Sequence, residues 1–379
     1  METERRNPLA RAKRVVVKVG SNVLTQDSGL NLAVIRSISR QISRLMENER
    51  EIILVSSGAM AAGMRKLALP ARPTEIPARQ GVAAVGQAGL ILAYEKAFGR
   101  HGRKVAQILL TAEDMTHRKR YLNARNTLNT LLAWGVVPVI NENDTVMVEE
   151  IQFGDNDNLA AVIALLMDAQ ALINLSDIEG LFDKDPRTDP GARLIPEVVS
   201  IGKTIETVAV GIPGALGTGG MLSKIRAARK TTAAGIPMVI ASGRQRDILL
   251  RLFAGESRGT LFIPRSQRLP SRKCWIAFSL KPKGTLRVDS GAERALIQRR
   301  KSLLPSGILE VKGEFGPGDP VQFVNAAGEI LGNGLVNYNA SDIRKIKGLQ
   351  TQCITAVLGE KPFDEVVHRD NLVLFADTD

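Results

Sequence analysis

Short β-branched runs alternate along the first two-thirds of the chain with longer stretches whose apolar residues recur every three or four positions. The runs are RVVVKV from Arg14, EIILVS from Glu51, KVAQILL from Lys104, VVPVI from Val136, ALINLS from Ala171 and IPMVIA from Ile236. Between them lie LAVIRSISRQISRLMEN, VAAVGQAGLILAYEKAF, RYLNARNTLNTLLAW, NLAAVIALLMDA and MLSKIRAARKTTAAG. Strand, helix, strand at this rhythm predicts an α/β fold with a mainly parallel open sheet sandwiched by helices. Sheets of that kind bind ligands at the carboxyl ends of their strands.

The pattern changes near Gly255. ESRGTLFIPRSQRLPSRK is rich in Arg, Pro, Ser and Gly, and the runs beyond it, CWIAFSL, GTLRV, GILEV, DPVQFV and EILGNGLVNY, are short and separated by turn residues. A smaller β-rich domain from about residue 270 to 379 fits this shift better than further strand–helix units. A length of 379 residues accommodates both domains.

Polar residues follow the predicted strands in a consistent way. Lys18 closes the first run, with Gly20 and Ser21 beyond it; a glycine there lets a ligand approach the backbone and a lysine supplies charge for a phosphate. Ser56, Ser57 and Gly58 open a helix of small residues, whose free amides suit an anion, although a serine N-cap accounts for the same residues. VVPVI runs into Asn141, Glu142, Asn143 and Asp144. Soon after comes FGDNDNLAA with Asp155, Asn156, Asp157 and Asn158, more small polar residues than one helix cap needs. Two such clusters suit a ligand bearing both an ammonium and carboxylates; the calcium alternative lacks the EF-hand spacing and its terminal glutamate.

ALINL leads into SDIEGLFDKDP, a polar turn, and GALGTGGMLSK sets Gly217, Thr218, Gly219 and Gly220 ahead of Lys224 at a helix start. A glycine-rich turn entering a helix is a phosphate cradle by mechanism, although neither GxxxxGK[ST] nor GxGxxG is present. Lysines, amides, carboxylates and helix starts gathered at one sheet edge suit phosphoryl transfer, which needs positioning and charge neutralisation more than covalent chemistry.

Composition narrows the chemistry. Two cysteines and three histidines supply no zinc spacing and no disulfide framework. No run approaches a membrane span and the first residues show no apolar targeting core, so a cytoplasmic protein is expected. The net charge of +12 suggests an anionic partner, and about eight of the excess positive charges lie between Arg268 and Lys312.

VVVKVGS, VSSGAMAAG, VPVINENDTV, FGDNDNLAA, SDIEGLFDKDPR and GTGGMLSK, in this order, resemble the amino acid kinase superfamily and within it the bacterial glutamate 5-kinases. The resemblance runs from residue 14 to about 262, and the C-terminal region is similar to a PUA domain. It implies a kinase domain at 1–262, a linker at 263–272 and a PUA-like domain at 273–379. The implied reaction is transfer of phosphate from ATP to the side-chain carboxylate of L-glutamate, the first step of proline biosynthesis. Carried over residue by residue, Lys18 and Lys224 would stabilise the transferring phosphoryl group, with Asp157 holding both lysines. Ser57, Asn141, Asp144 and Asn156 would hold glutamate. Lys18, Ser176, Asp177 and the segment Thr218, Gly219, Gly220, Met221, Leu222, Ser223 and Lys224 would contact ATP. Magnesium would be bound mainly through the ATP phosphates, with no protein metal site. Family behaviour further implies feedback by proline, a homotetramer or homodimer, and functional coupling to glutamyl phosphate reductase.

A second reading, RNA binding or modification, rests on the PUA-like region and on RKCWIAFSLKPKGTLRV with QRRK after it. It leaves the strand-end residues unexplained, and aromatics make up only 4% of the chain.

Overall fold

A computed structural model describes residues 8–26, 29–146, 155–210, 220–264 and 269–375. The chain divides into two compact units, Met1–Gln267 and Arg268–Asp379.

The main elements of the first unit are β1 (Arg14–Val19), α1 (Leu32–Glu47), β2 (Glu51–Ser56), α2 (Ala59–Lys66), α3 (Ile76–Gly99), β3 (Val105–Leu110), α4 (Arg118–Ala133) and β4 (Val137–Glu142). They continue with α5 (Asn156–Leu166), β5 (Ala171–Ser176), β6 (Glu197–Val198), α6 (Met221–Ala233), β7 (Met238–Ser242), α7 (Ile248–Phe253) and β8 (Thr260–Phe262). The strands form one eight-stranded sheet in the order β3-β4-β2-β1-β5-β7-β8-β6. All its pairings are parallel except β7 with β8. All six predicted runs are strands of this sheet, and the mainly parallel, helix-covered architecture expected from the sequence is present.

Alternation along β1 decides where chemistry sits. Val15, Val17 and Val19 pack with Ile35, Ile38 and Ile42 of α1 and with Leu90, Tyr94 and Phe98 of α3. Successive side chains point to opposite faces, so Val16 and Lys18 face the other layer, where α5 packs on β1. The parallel register sets Lys18 beside Asn174 of β5 and Val55 of β2. Lys18 and Asn174 therefore look toward the same helix from adjacent strands.

The small residues of α2 and α3 have a packing purpose. A Cβ at Gly63 would lie 1.8 Å from the Val82 carbonyl oxygen, and one at Gly86 would lie 1.8 Å from that of Ala59. The two helices touch backbone to backbone, and any side chain at either position would separate them. Helix α3 begins at Ile76, earlier than the apolar stretch from Val82 predicts, with a proline in its first turn.

The second unit contains α8 (Ser271–Phe278), β9 (Gly284–Val288), α9 (Ser290–Ile297), β10 (Ile308–Gly313), β11 (Pro320–Val324), β12 (Ile330–Leu335), α10 (Ala340–Ile346), α11 (Ile354–Leu358) and β13 (Leu372–Leu374). Its five-stranded sheet runs β10-β9-β11-β12-β13. The core joins Leu286, Val288, Val321 and Phe323 to Ile343 and Ile346. One expectation fails here: CWIAF of the run CWIAFSL is helical, forming the C-terminal part of α8, rather than a strand. A short apolar run fits either period, and Cys274, Trp275, Ile276 and Ala277 are buried consecutively on the helix. Several residues of the basic stretch are neutralised inside this unit: Lys283 pairs with Asp319, and Arg287 and Lys312 with Glu310.

Candidate active site

Helix α5 starts where FGDNDNLAA predicts. Asp155 is its N-cap and accepts the backbone N–H of Asn158 at 2.7 Å. With the cap assigned to Asp155, the next two side chains are released for other partners, and each faces a different set.

Asp157 is fully buried and ringed by donors. One oxygen accepts Lys18 Nζ at 2.5 Å and Asn174 Nδ2 at 2.8 Å. The other accepts Lys224 Nζ at 3.0 Å and Ser223 Oγ at 2.6 Å. Lys18 comes from the end of β1, Asn174 from β5, and Ser223 and Lys224 from the first turn of α6. Burial alone would raise the Asp157 carboxyl, but Lys18 and Lys224 beside it hold it well below the usual carboxylate range. Burial lowers the Lys18 ammonium below its ordinary value, against the pull of Asp157, and Lys224 pushes it the same way. A second acid stands near these charges: burial and then Asp157 raise the Asp155 carboxyl, with Lys18 and Lys224 pulling it back. Gly20 stands beside the cluster; a Cβ there would lie 3.6 Å from Lys18 Nζ.

Asn156, one residue earlier, meets only neutral groups. Its Nδ2 donates to Ser57 Oγ at 2.8 Å, Asn141 Oδ1 at 2.9 Å and the Ser56 carbonyl oxygen at 3.2 Å. Asn141, buried at the end of β4, donates in turn to Gln87 Oε1 of α3 at 2.8 Å. The Gln87 Nε2 is buried with no hydrogen-bond partner among the described residues. Asp144 opens the 3-10 turn Asp144–Val146 after β4, which packs against α3. Burial raises its carboxyl, with Arg79 and Arg72 pulling it back.

At the end of β5, Ser176 Oγ donates to Asp177 Oδ1 at 3.0 Å, and Asn22 Nδ2 donates to Asp177 Oδ2 at 2.9 Å. Burial raises the Asp177 carboxyl, but the bond from Asn22 and the other hydrogen bonds outweigh it and hold it low. Gly220 is the N-cap of α6, Met221 is buried and Leu222 half-buried. Thr218 and Gly219 lie outside the described residues.

The fold thus gathers Lys18, Asp157, Ser223 and Lys224 into one cluster and Ser57, Asn141 and Asn156 into another. Sequence reasoning passed over Gln87 and Asn174. A signal existed for Asn174, an amide inside the otherwise apolar run ALINL of a strand buried on both faces. Gln87 in an amphipathic helix gave none.

Lysines, a buried carboxylate and amides gathered at the carboxyl edge of a mainly parallel sheet fit one class, the phosphotransferases of the amino acid kinase type. The Amino acid kinase family model matches residues 13–242, and the PUA domain model matches residues 284–358. Glutamate 5-kinase of Syntrophus aciditrophicus is 50% identical over 374 residues, covering 99% of this chain and 97% of the relative. Glutamate 5-kinases of Syntrophotalea carbinolica and Caldanaerobacter subterraneus are 49% and 50% identical, over 98% and 95% of this chain and 99% and 97% of theirs. The chain belongs to the glutamate 5-kinase family.

Proposed function

We propose that the Asp157 cluster is the catalytic centre of an ATP-dependent kinase that phosphorylates the side-chain carboxylate of L-glutamate, opening proline biosynthesis. A glutamate carboxylate oxygen attacks the γ-phosphorus, the bond to the β,γ-bridging oxygen breaks, and ADP departs with that electron pair. L-Glutamyl 5-phosphate forms. The attacking group is already an anion, so no general base is required.

The observation that carries this reading is the shared carboxylate. An ammonium has three donors, and Lys18 and Lys224 each spend one on Asp157. Both ammonium groups are thereby brought to the one carboxylate, where they can meet the oxygens of the transferring phosphoryl group. Asp157 holds the lysines within reach of one point and offsets part of their mutual repulsion, which is positioning and electrostatic stabilisation together. Ser57, Asn141, Asp144 and Asn156 take glutamate. Ser176, Asp177 and the segment 218–224 take the nucleotide, with Thr218 and Gly219 included on sequence grounds.

Among the described residues, no three His, Cys, Asp or Glu side chains gather as a metal site. Lone carboxylates such as Asp177 suit magnesium that arrives on nucleotide phosphates, whose charge it neutralises when bound. Division into a kinase domain at 1–262, a linker at 263–272 and a PUA-like domain at 273–379 belongs to the same proposal. So do feedback by proline, a homo-oligomer, coupling to glutamyl phosphate reductase and a cytoplasmic location; no described helix is long and apolar enough to cross a membrane.

The test is ADP release with magnesium and ATP across glutamate, aspartate, N-acetylglutamate and UMP, with hydroxylamine trapping of the acyl phosphate. Glutamate alone should support rapid turnover and give a hydroxamate. Preference for another acceptor would refute the assignment.

A further inference from the structure

Hydrogen-bond polarity around Asn156 is fixed by one group that cannot change role. The Ser56 backbone carbonyl only accepts, so the atom of Asn156 facing it at 3.2 Å must be the nitrogen. That nitrogen then requires an oxygen from Asn141, which it has at 2.9 Å. Asn141 is thereby obliged to turn its own nitrogen toward α3, where Gln87 supplies an oxygen at 2.8 Å. Turning over any one carboxamide sets like atoms against each other. The direction of the chain ends on Gln87, whose nitrogen is buried without a hydrogen-bond partner among the described residues.

A glutamine is a poor filler for this position. Gln87 is 8% exposed on the buried side of α3, and methionine of nearly the same shape would bring no unpaired amide nitrogen of its own. Its neighbour Gly86 fixes the crossing of α3 against α2, so Gln87 is held on a rigid base. What glutamine supplies and methionine lacks is the acceptor that closes the amide chain.

We infer that Gln87 is a positioning residue of the glutamate pocket which, through Asn141, acts with the Ser56 carbonyl to hold the Asn156 carboxamide with its nitrogen inward and its oxygen toward the substrate. This rests on the kinase reading above. The Asn156 nitrogen is spent on Ser56, Ser57 and Asn141, which leaves Asn156 Oδ1 as the atom for the substrate. An oxygen that only accepts serves the glutamate ammonium and repels a carboxylate. The Ser57 hydroxyl, already accepting from Asn156, keeps its own proton for a substrate carboxylate oxygen. The pocket so polarised distinguishes an amino acid from a plain dicarboxylate.

The test compares Gln87→Met, which removes the acceptor, with Gln87→Glu, which retains one, using glutamate and its deamino analogue glutarate. Gln87→Met should raise the glutamate KM about tenfold with kcat and the ATP KM within about twofold. It should also narrow the preference for glutamate over glutarate by a similar factor. Gln87→Glu should recover most of the glutamate KM. A folded Gln87→Met with unchanged glutamate KM and unchanged preference would overturn the inference. If Gln87→Met does not fold, a Gln87→Glu enzyme with the KM raised tenfold and the preference lost would do the same. Wild-type enzyme that ignores glutamate would refute the kinase reading itself, a separate outcome.

Discussion

Asn156 and Asp157 are consecutive in one helical turn, yet they anchor regions of opposite construction. Around Asp157 the partners include two lysines, and the carboxylate takes four donors. Around Asn156 every partner is neutral, and the bonds run in one direction from Asn156 to Gln87. On the proposed mechanism, the first region would supply charge whose influence grows as the phosphoryl group carries more of it in the transition state. The second would supply hydrogen-bond polarity that a bound glutamate meets equally before and during reaction. Charge held for the transition state would then govern kcat, and polarity met in both states KM.

The largest effect expected from breaking this contrast is at Asp157. Asp157→Asn keeps the shape but leaves two buried lysines without their anion. It should lower kcat by roughly 10² or more and lower stability by about 3–5 kcal/mol, with little change in the glutamate KM. Lys18→Ala and Lys224→Ala should each lower kcat by roughly 10² as well. Steady-state kinetics with denaturant unfolding measure both quantities, and near-normal turnover in folded Lys18 and Lys224 variants would remove them from the mechanism.

Acid separates the two regions next. The folded Asp157 carboxyl lies below its ordinary value, while the unfolded group titrates at about 3.9. Its contribution is therefore fully present above about pH 4 and lost as pH falls toward the folded value. Wild-type stability should drop more steeply below about pH 4 than that of Asp157→Asn, by about 2 kcal/mol or more in total. Asn156→Ala should follow the wild-type slope. Urea unfolding at pH 3, 4 and 6 decides it; equal slopes for wild type and Asp157→Asn would contradict the shifted carboxyl.

Asn156→Ala should raise the glutamate KM about tenfold, near 1.4 kcal/mol, with kcat within about threefold. If it changed only the affinity for ATP, the amide chain would not be the acceptor pocket. The smallest effect is expected from removing the second unit. Every residue in both regions precedes Gln267, so a chain ending at Leu269 should retain glutamate-dependent turnover within about tenfold. Its mass in solution or its response to proline should differ from that of the full chain. A folded truncation without kinase activity would show that the second unit completes the site.

The periodicity of the chain determined the strand–helix alternation, because a parallel strand covered on both faces must be apolar along its length and a covering helix must be apolar on one side. It also determined where to search, since polar residues that interrupt such patterns cluster just after the strands. Lys18, Asn141, Asn156 and Asp157 became candidates on that ground, the glycine-rich helix start led to Lys224, and Ser176 was marked by the family resemblance alone. The sequence did not decide CWIAFSL, too short for either period to dominate, of which tertiary burial made CWIAF helical. Nor did it say which polar residues meet. Lys224 and Asp157 are 67 residues apart in the chain, Asn156 and Ser57 are 99 apart, and Asn141 and Gln87 are 54 apart. Their pairing depends on strand register, on which face of β1 turns toward α5, and on the close crossing of α2 and α3. These are properties of packed layers, and an amphipathic helix places Gln87 on a buried face without saying that a strand end from another part of the chain will present an amide to it.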